Sequence, residues 1–272
     1  VKHWTEELFL DNPELFLILF DERPERLTAE ADALLKSLSG QGYQPGRVLD
    51  MNCGIGRHDV ALAGKGIEVL GTDISPKFLE IAAKRAKEAG VSDRVSFAVA
   101  DMRRISETLK GEMPFDGVIN LWTSFGFYDD ETNDDILRQC GELVKPGGFF
   151  AMDIINRDWL VRNLQPSGFR HIGDMLILEE RTFNMNDSRM YNTWTFMKKT
   201  AGNSYTLLKE VKLDHRVWSL HELIAMFERT GWKFKAAFSG LVTGPDLGMG
   251  TPLSGERDVL RAMRLLVIAY RQ

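Results

Sequence analysis

The stretch Val48-Leu49-Asp50-Met51-Asn52-Cys53-Gly54-Ile55-Gly56-Arg57-His58 decides the fold. An apolar run ends in an acid, passes through a Gly54-x-Gly56 turn and enters a helical pattern. Two glycines there let a backbone approach a ligand that a β-carbon would exclude. Working outward, Asp73 ends the next apolar run, where a carboxylate that binds ribose hydroxyls belongs. A dinucleotide fingerprint asks for a third glycine at position 59, and this chain has Asp59. Negative charge at Asp59 and Asp50 suits a polyphosphate poorly and a cationic ligand well. The pattern favours a nucleoside carrying an amino acid over one carrying phosphates.

Around this stretch, short apolar strands alternate with helices. Strands are expected at 47–50, 68–72, 96–100, 115–121 and 149–154, with helices at 59–65, 76–89 and 130–144 between them. Such alternation predicts a parallel sheet with crossover helices. Ser75 is placed to cap the helix opened by Pro76, and Pro146-Gly147-Gly148 to stop the chain before the fifth strand. Upstream, Glu6 to Phe20 reads as helical with a break at Asn12-Pro13, and Thr28 is expected to cap a helix through Leu38. Downstream, the rhythm becomes one of long strands at 177–183, 190–197 and 205–217, joined by turns at Asn186-Asp187-Ser188 and Ala201-Gly202-Asn203. Ser219 and Glu222 have capping-box spacing for a helix through Thr230; strands at 234–238 and 265–270 close the chain. Between them, residues 240–255 hold Gly240, Gly244, Pro245, Gly248, Gly250, Pro252 and Gly255, and read as a ligand-covering loop.

Composition sets the frame for these elements. The chain has 272 residues, 44% hydrophobic and 27% charged, enough for one α/β core with an elaboration. A formal charge of -5 with no long basic run argues against a nucleic-acid surface. Cys53 and Cys140 are its only cysteines, which excludes a disulfide scaffold and favours a reducing compartment. The longest apolar runs, such as Leu15 to Phe20, fall short of a membrane span. Val1-Lys2-His3-Trp4 lacks the form of a signal peptide, and the missing Met points to a trimmed or partial start. The expected setting is soluble and cytoplasmic, as a monomer or homodimer.

Taken together, Cys53 to His58, Gly71-Thr72-Asp73-Ile74-Ser75-Pro76, Asp101-Met102-Arg103, Phe115-Asp116 and Lys145-Pro146-Gly147-Gly148 stand in a familiar order. The chain resembles a class I S-adenosylmethionine-dependent methyltransferase, most of all a group of small bacterial and archaeal members whose glycine loop reads Cys-Gly-x-Gly-Arg-His. The resemblance implies an α/β fold: a Rossmann-like seven-stranded methyltransferase sheet with an N-terminal helical lid and an antiparallel β insertion. On this reading 1–272 is a single domain, with a lid at 1–40, a cofactor-binding core at 47–155, a substrate-cover insertion at 176–218, and a closing helix and strands at 219–272. It further implies S-adenosylmethionine as cofactor, leaving S-adenosylhomocysteine as product. Asp50, Gly54 and Gly56 would shape the methionine end, Asp73 would hold the ribose hydroxyls, and Ile74 would pack on adenine. Asp101 would take the adenine amine beside Met102, and Asn120 would border the sulfonium with Leu121 and Trp122. Asn52 stands where the family often has glycine; Asn tolerates left-handed geometry and offers a polar contact.

Methyl transfer needs alignment and exclusion of water, and an amine or acid acceptor needs little activation. The acceptor is therefore expected to be a small-molecule amine or carboxylate. Trp122 and Tyr128 follow the fourth strand, where aromatic faces can surround a cation, and Tyr128 is the favoured polar contributor. Arg157, after the fifth strand, either binds a substrate carboxylate or pairs with Asp158. His215 is either a base or substrate contact reaching over the pocket, or a strand-face residue. Trp194 and Trp218 either line the cover or belong to a core. His58 reads as a structural hydrogen-bonding residue, His221 as a helix-surface residue, and Cys53 as a packing residue. No Cys/His spacing suggests a metal site. The alternatives are a protein or nucleic-acid methyltransferase, a non-catalytic adenosyl-ligand-binding protein, and a nicotinamide-dependent oxidoreductase.

Overall fold

Strand-forming apolar runs assemble into two sheets in the computed structural model, which describes residues 2–20, 23–112, 114–202, 204–242 and 247–272. The larger sheet contains β1 (Arg47–Met51), β2 (Glu68–Asp73), β3 (Val95–Val99), β4 (Phe115–Asn120) and β5 (Val144–Ile155), joined late in the chain by β10 (Trp232–Ser239) and β11 (Arg264–Arg271). Their order is β10-β11-β5-β4-β1-β2-β3, and the pairs of β11 with its two neighbours are antiparallel. The chain runs β1 to β3 towards one edge, then jumps back to β4 on the other side of β1. Ligands of open α/β sheets settle at the carboxyl ends of strands flanking such a switch point. Those ends are occupied by Asp50 and Met51 of β1 and Asn120 of β4.

Helices cover both faces for reasons legible in their ends. Ser75 accepts the Phe78 N–H at the start of Pro76–Glu88, and Ser219 with Glu222 completes a reciprocal capping box on Leu220–Arg229. The first long helix is Pro24–Gly40, so Thr28 lies inside it and is not its cap. A proline suits the first helical turn, and here it opens the helix one turn earlier than expected. Pro146-Gly147-Gly148 does not end before a new strand either: β5 starts at Val144 opposite Phe115, and the pairing shifts register past these residues.

The second sheet, β6-β7-β8-β9, is antiparallel throughout: β6 (Ser167–Ile172), β7 (Met175–Asn184), β8 (Arg189–Lys199) and β9 (Tyr205–Arg216). It begins at Ser167 rather than at 176. The missed strand β6 is a mostly exposed edge with little apolar alternation to reveal it. The turn at Asn186-Asp187-Ser188 forms as expected, with Ser188 left-handed (φ 51°). Asn203 of the next expected turn, and 243–246 of the expected loop at 240–255, lie outside the described residues.

The N-terminal helical turns fasten this sheet to the body. Trp4, Leu8 and Leu15 share one apolar cluster with Met175, Ile177, Phe196, Val211 and Leu213 of the small sheet. A cavity of about 400 Å³ lies where these turns, the small sheet and the carboxyl ends of β1, β2 and β4 converge. Among the described residues no helix is long and apolar enough to cross a membrane.

Candidate active site

The glycine turn forms the floor of the cavity. Gly54 and Gly56 have φ of 59° and 68°, in the left-handed region. A β-carbon on Gly56 would lie 2.8 Å from the Ala82 side chain, so residue 56 must be glycine for the loop to seat against the helix Pro76–Glu88. Asn52 is also left-handed (φ 64°), as its residue type allows. Its amide donates to the Ser124 carbonyl at 2.7 Å and contacts Met102 Sδ at 3.1 Å, tying the loop to the segments that follow β4 and β3.

Three acids meet this turn. Asp73 accepts the N–H groups of Gly54 (3.0 Å) and Ser75 (2.9 Å), one on each oxygen. A carboxylate has about four acceptor sites, so capacity remains for a hydroxyl donor. Burial pushes its pKa up to about 6, against the pull of those backbone bonds. Asp50 is buried at the end of β1, and burial followed by the charge and hydrogen bond of Asp59 pushes it well above the carboxylate range. Burial also pushes Asp59 up to about 7, against the pull of its hydrogen bond with Asp50. A ligand cation beside Asp50 would relieve this crowding of buried acids. Asp101 differs: burial works against it, but bonds from the Arg103 side chain and backbone hold its carboxyl below the usual range. Arg103 in turn lies 4.8 Å over the Tyr128 ring.

Of the sequence-derived candidates, Asp50, Asn52, Gly54, Asp73, Ile74, Asp101, Met102, Trp122, Tyr128, Trp194 and His215 all line this one cavity. Gly56 and Asn120 stand just beneath it. The Asn120 amide donates to the Met51 carbonyl at 2.8 Å, and its Oδ1 is buried and unpartnered. Arg157 is not brought to the cavity. A helix, Arg157–Asn163, starts where β5 ends and turns its guanidinium to Ser188 Oγ at 2.9 Å and towards Asp158 at 3.5 Å. Trp218 is buried against Phe125 in the main core. His58 bonds Glu30 at 2.7 Å and lines the cavity, as does Cys53, whose thiol pKa is raised by burial; His221 is exposed.

Trp122 and Thr123 both have φ of 61°, a strained conformation for such side chains. Asp153 of β5 holds them: its carboxylate accepts the Trp122 N–H at 3.2 Å and its carbonyl the Thr123 N–H at 2.9 Å. Arg264 of β11 pairs with the same carboxylate at 2.6 Å in a buried setting. The strain turns the Trp122 ring into the cavity, where Phe20 stacks on it at 5.6 Å and the Arg57 guanidinium lies 4.7 Å away.

On the opposite wall, His215 is buried and its Nε2 has no partner. Burial, reinforced by the Arg189 charge, lowers its pKa to about 4, leaving a neutral imidazole at ordinary pH. Tyr128 is engaged instead: its hydroxyl hydrogen-bonds Thr5, and burial raises its pKa. Sequence reasoning placed a lid at 1–40 without naming its lining residues Trp4, Leu8, Phe9, Phe16 and Phe20, and it missed the inner-face residues Arg170, Glu179, Arg181 and Asn192.

This geometry defines a Rossmann-like domain that binds a nucleoside ligand at the switch point and covers it with a second sheet. Residues 48–148 match the family described as "Methyltransferase domain". Over 143 residues the chain is 31% identical to Methyltransferase GfsG of Streptomyces halstedii, covering 51% of this chain and 47% of that protein. The chain spans about half the length of the curated relatives it matches. Among solved structures, a S-adenosylmethionine-dependent methyltransferase from Clostridium acetobutylicum superposes with a TM-score of 0.71 at 14% identity, over 99% of this chain and 96% of that one. CalS10, an amino pentose methyltransferase from Micromonospora echinaspora, gives 0.64 at 18% identity, over 97% and 98%. Residues 48–148 thus match a methyltransferase domain, and the chain as a whole has the fold of solved S-adenosylmethionine-dependent methyltransferases.

Proposed function

We propose that this chain transfers a methyl group from S-adenosylmethionine to a small-molecule amine or carboxylate. The observation that carries this reading is the single cavity that joins the glycine turn and its acids to the inner face of the small sheet. The donor set suits the cofactor: hydroxyl-accepting Asp73, an acid at Asp50 for an ammonium group, apolar Ile74 for a base, and Asp101 beside Met102 for an exocyclic amine. When bound, that cofactor supplies a methyl group on a positively charged sulfur. Around the reacting end, Trp122 offers an aromatic face to positive charge, and the N-terminal residues exclude water. His215, neutral and with Nε2 unpartnered, accepts the proton that an acceptor N–H or O–H releases. Tyr128, held by Thr5 and Arg103, positions the wall between cofactor and acceptor.

The test is a small-molecule extract incubated with the full chain and a methyl-deuterated donor, read by mass spectrometry. A low-mass product carrying the deuterated methyl supports the reading. Binding of the donor with label appearing only in protein or nucleic acid, or nowhere, overturns it.

A further inference from the structure

The inner face of the small sheet carries a charge cluster that the cofactor end does not use. Arg170 on β6 and Glu179 and Arg181 on β7 all line the cavity. Arg170 pairs with one oxygen of Glu179 and Arg181 with the other. The Glu179 side chain is only 1% exposed, so one buried carboxylate serves two guanidiniums and the group keeps one positive charge in excess. Each guanidinium has five N–H donors, far more than that carboxylate can receive. Among the described residues, the one other hydrogen bond from the Arg181 guanidinium is a long one, 3.4 Å to the Gln165 carbonyl. Burial lowers the pKa of both arginines, and the Arg170 charge lowers Arg181 further, as expected of two cations crowded together.

The surrounding groups ask for the same partner. Trp194 stands opposite Glu179 in the β7–β8 register, and its indole N–H is buried without an acceptor. Asn192 stands opposite Arg181, two residue pairs further along on the same face. An indole nitrogen only donates, so the ligand atom that satisfies it must accept. The Trp194 ring is stacked by Phe16 at 6.3 Å on the N-terminal side, while Arg170 lies 5.9 Å from its centre.

Resting on the methyl-transfer reading, we propose that the acceptor carries a carboxylate, and that Arg170, Arg181 and Trp194 bind it. A monoanion matches the single excess charge, whereas a phosphate dianion would leave unpaired negative charge in a buried place, which is costly. The planar fork of a guanidinium also matches a carboxylate in two-point geometry. Position separates this group from the methylated atom. Arg181 and His215 are two strands apart and offset by two residues, which places their backbones on the order of 10 Å apart. The held carboxylate is therefore a recognition handle, and the nucleophile lies elsewhere on the same molecule, beside His215.

The test titrates the full chain, saturated with S-adenosylhomocysteine, with 3-phenylpropanoate and with its neutral amide, following tryptophan fluorescence. The carboxylate is expected to bind about tenfold tighter than the amide, and Arg181→Gln to erase that preference. Glu179→Gln is expected to strengthen carboxylate binding several-fold, because it removes the internal competitor. That opposite sign separates recognition from a structural ion pair, and far-UV circular dichroism checks that both variants fold. Equal binding of the two probes, saturable binding by neither, or weaker carboxylate binding in Glu179→Gln overturns the proposal. Calorimetry with S-adenosylhomocysteine on the same samples reports the cofactor reading separately. If that ligand fails to bind, the titration still measures carboxylate preference on the cofactor-free chain.

Discussion

At the scale of single residues, the site divides into groups whose role follows from spacing and groups whose role follows only from burial. Asp73 was legible in the sequence because a carboxylate at the end of the second strand is tied to the glycine turn by chain length alone. The structure adds that it also accepts the Gly54 N–H, so it shapes the loop it serves. Asp73→Asn keeps the volume but loses an ionic acceptor and presents an amide to an N–H donor. Its affinity for S-adenosylhomocysteine by calorimetry is expected to fall by about 10- to 100-fold. His215, by contrast, was ambiguous on a strand of alternating residues. Only the fold shows that it lines the cavity with its Nε2 buried and unpartnered. With its pKa lowered to about 4 by burial, it stays unprotonated across the neutral range. At saturating cofactor, the acid limb of turnover attributable to this histidine is expected near pH 4 rather than near the ordinary imidazole value. His215→Gln should lower turnover at least tenfold while S-adenosylhomocysteine affinity stays within about twofold. Parallel losses in both would assign His215 to the cofactor end.

At the scale of elements, legibility followed how much local chemistry a segment carries. Helices with Ser caps and a strand–glycine–helix turn announce themselves, because each solves a local hydrogen-bonding or steric problem. Strand β6 solves none locally; it exists because β7 offers an edge to pair with. Glu179 and Arg181, alternating on β7, look in sequence like a solvated face, yet that face is turned over a cavity. The N-terminal segment was legible as an apolar helical lid, but not which of its side chains line the cavity. Phe16 connects three elements there, with ring contacts to Phe78 at 6.3 Å, Trp122 at 6.4 Å and Trp194 at 6.3 Å. Phe16→Ala should cost about 1–3 kcal/mol of stability, less than a fully buried Phe because the residue is half-buried. Its sharper signature is kinetic: stopped-flow release of S-adenosylhomocysteine is expected to quicken about tenfold, with association changed far less. Equal changes in both rates would show that the segment packs beside the ligand without retaining it.

At the scale of the whole molecule, the buried acids make stability and cofactor binding a linked problem. Asp73 and Asp59, pushed up to about 6 and about 7, hold protons that the unfolded chain has already released above pH 4, and Asp50 is raised in the same sense. The folded state therefore binds more protons than the unfolded state over this window, and the cofactor-free chain loses stability as pH rises through it. His215 and His3, both lowered by burial, work in the opposite direction and add stability as pH rises towards their unfolded value near 6.5, but they are two groups against three. A ligand that brings hydroxyl donors to Asp73 and an ammonium to Asp50 favours the charged carboxylates, so its binding strengthens over the same rise in pH. Saturating S-adenosylhomocysteine at about 100 times Kd contributes about 2.7 kcal/mol, or a rise in Tm of roughly 5–10 °C in a chain of this size. Scanning calorimetry should show that rise in full at pH 7.5 and cut to less than half at pH 5, where Asp73 is protonated. Asp73→Asn removes the carboxylate whose titration lies near pH 6, and should flatten this dependence while leaving the part due to Asp50. A ligand-induced rise independent of pH in the unmodified chain would mean that these acids are ionised before the ligand arrives, and the crowding of Asp50, Asp59 and Asp73 would then be a property of packing alone.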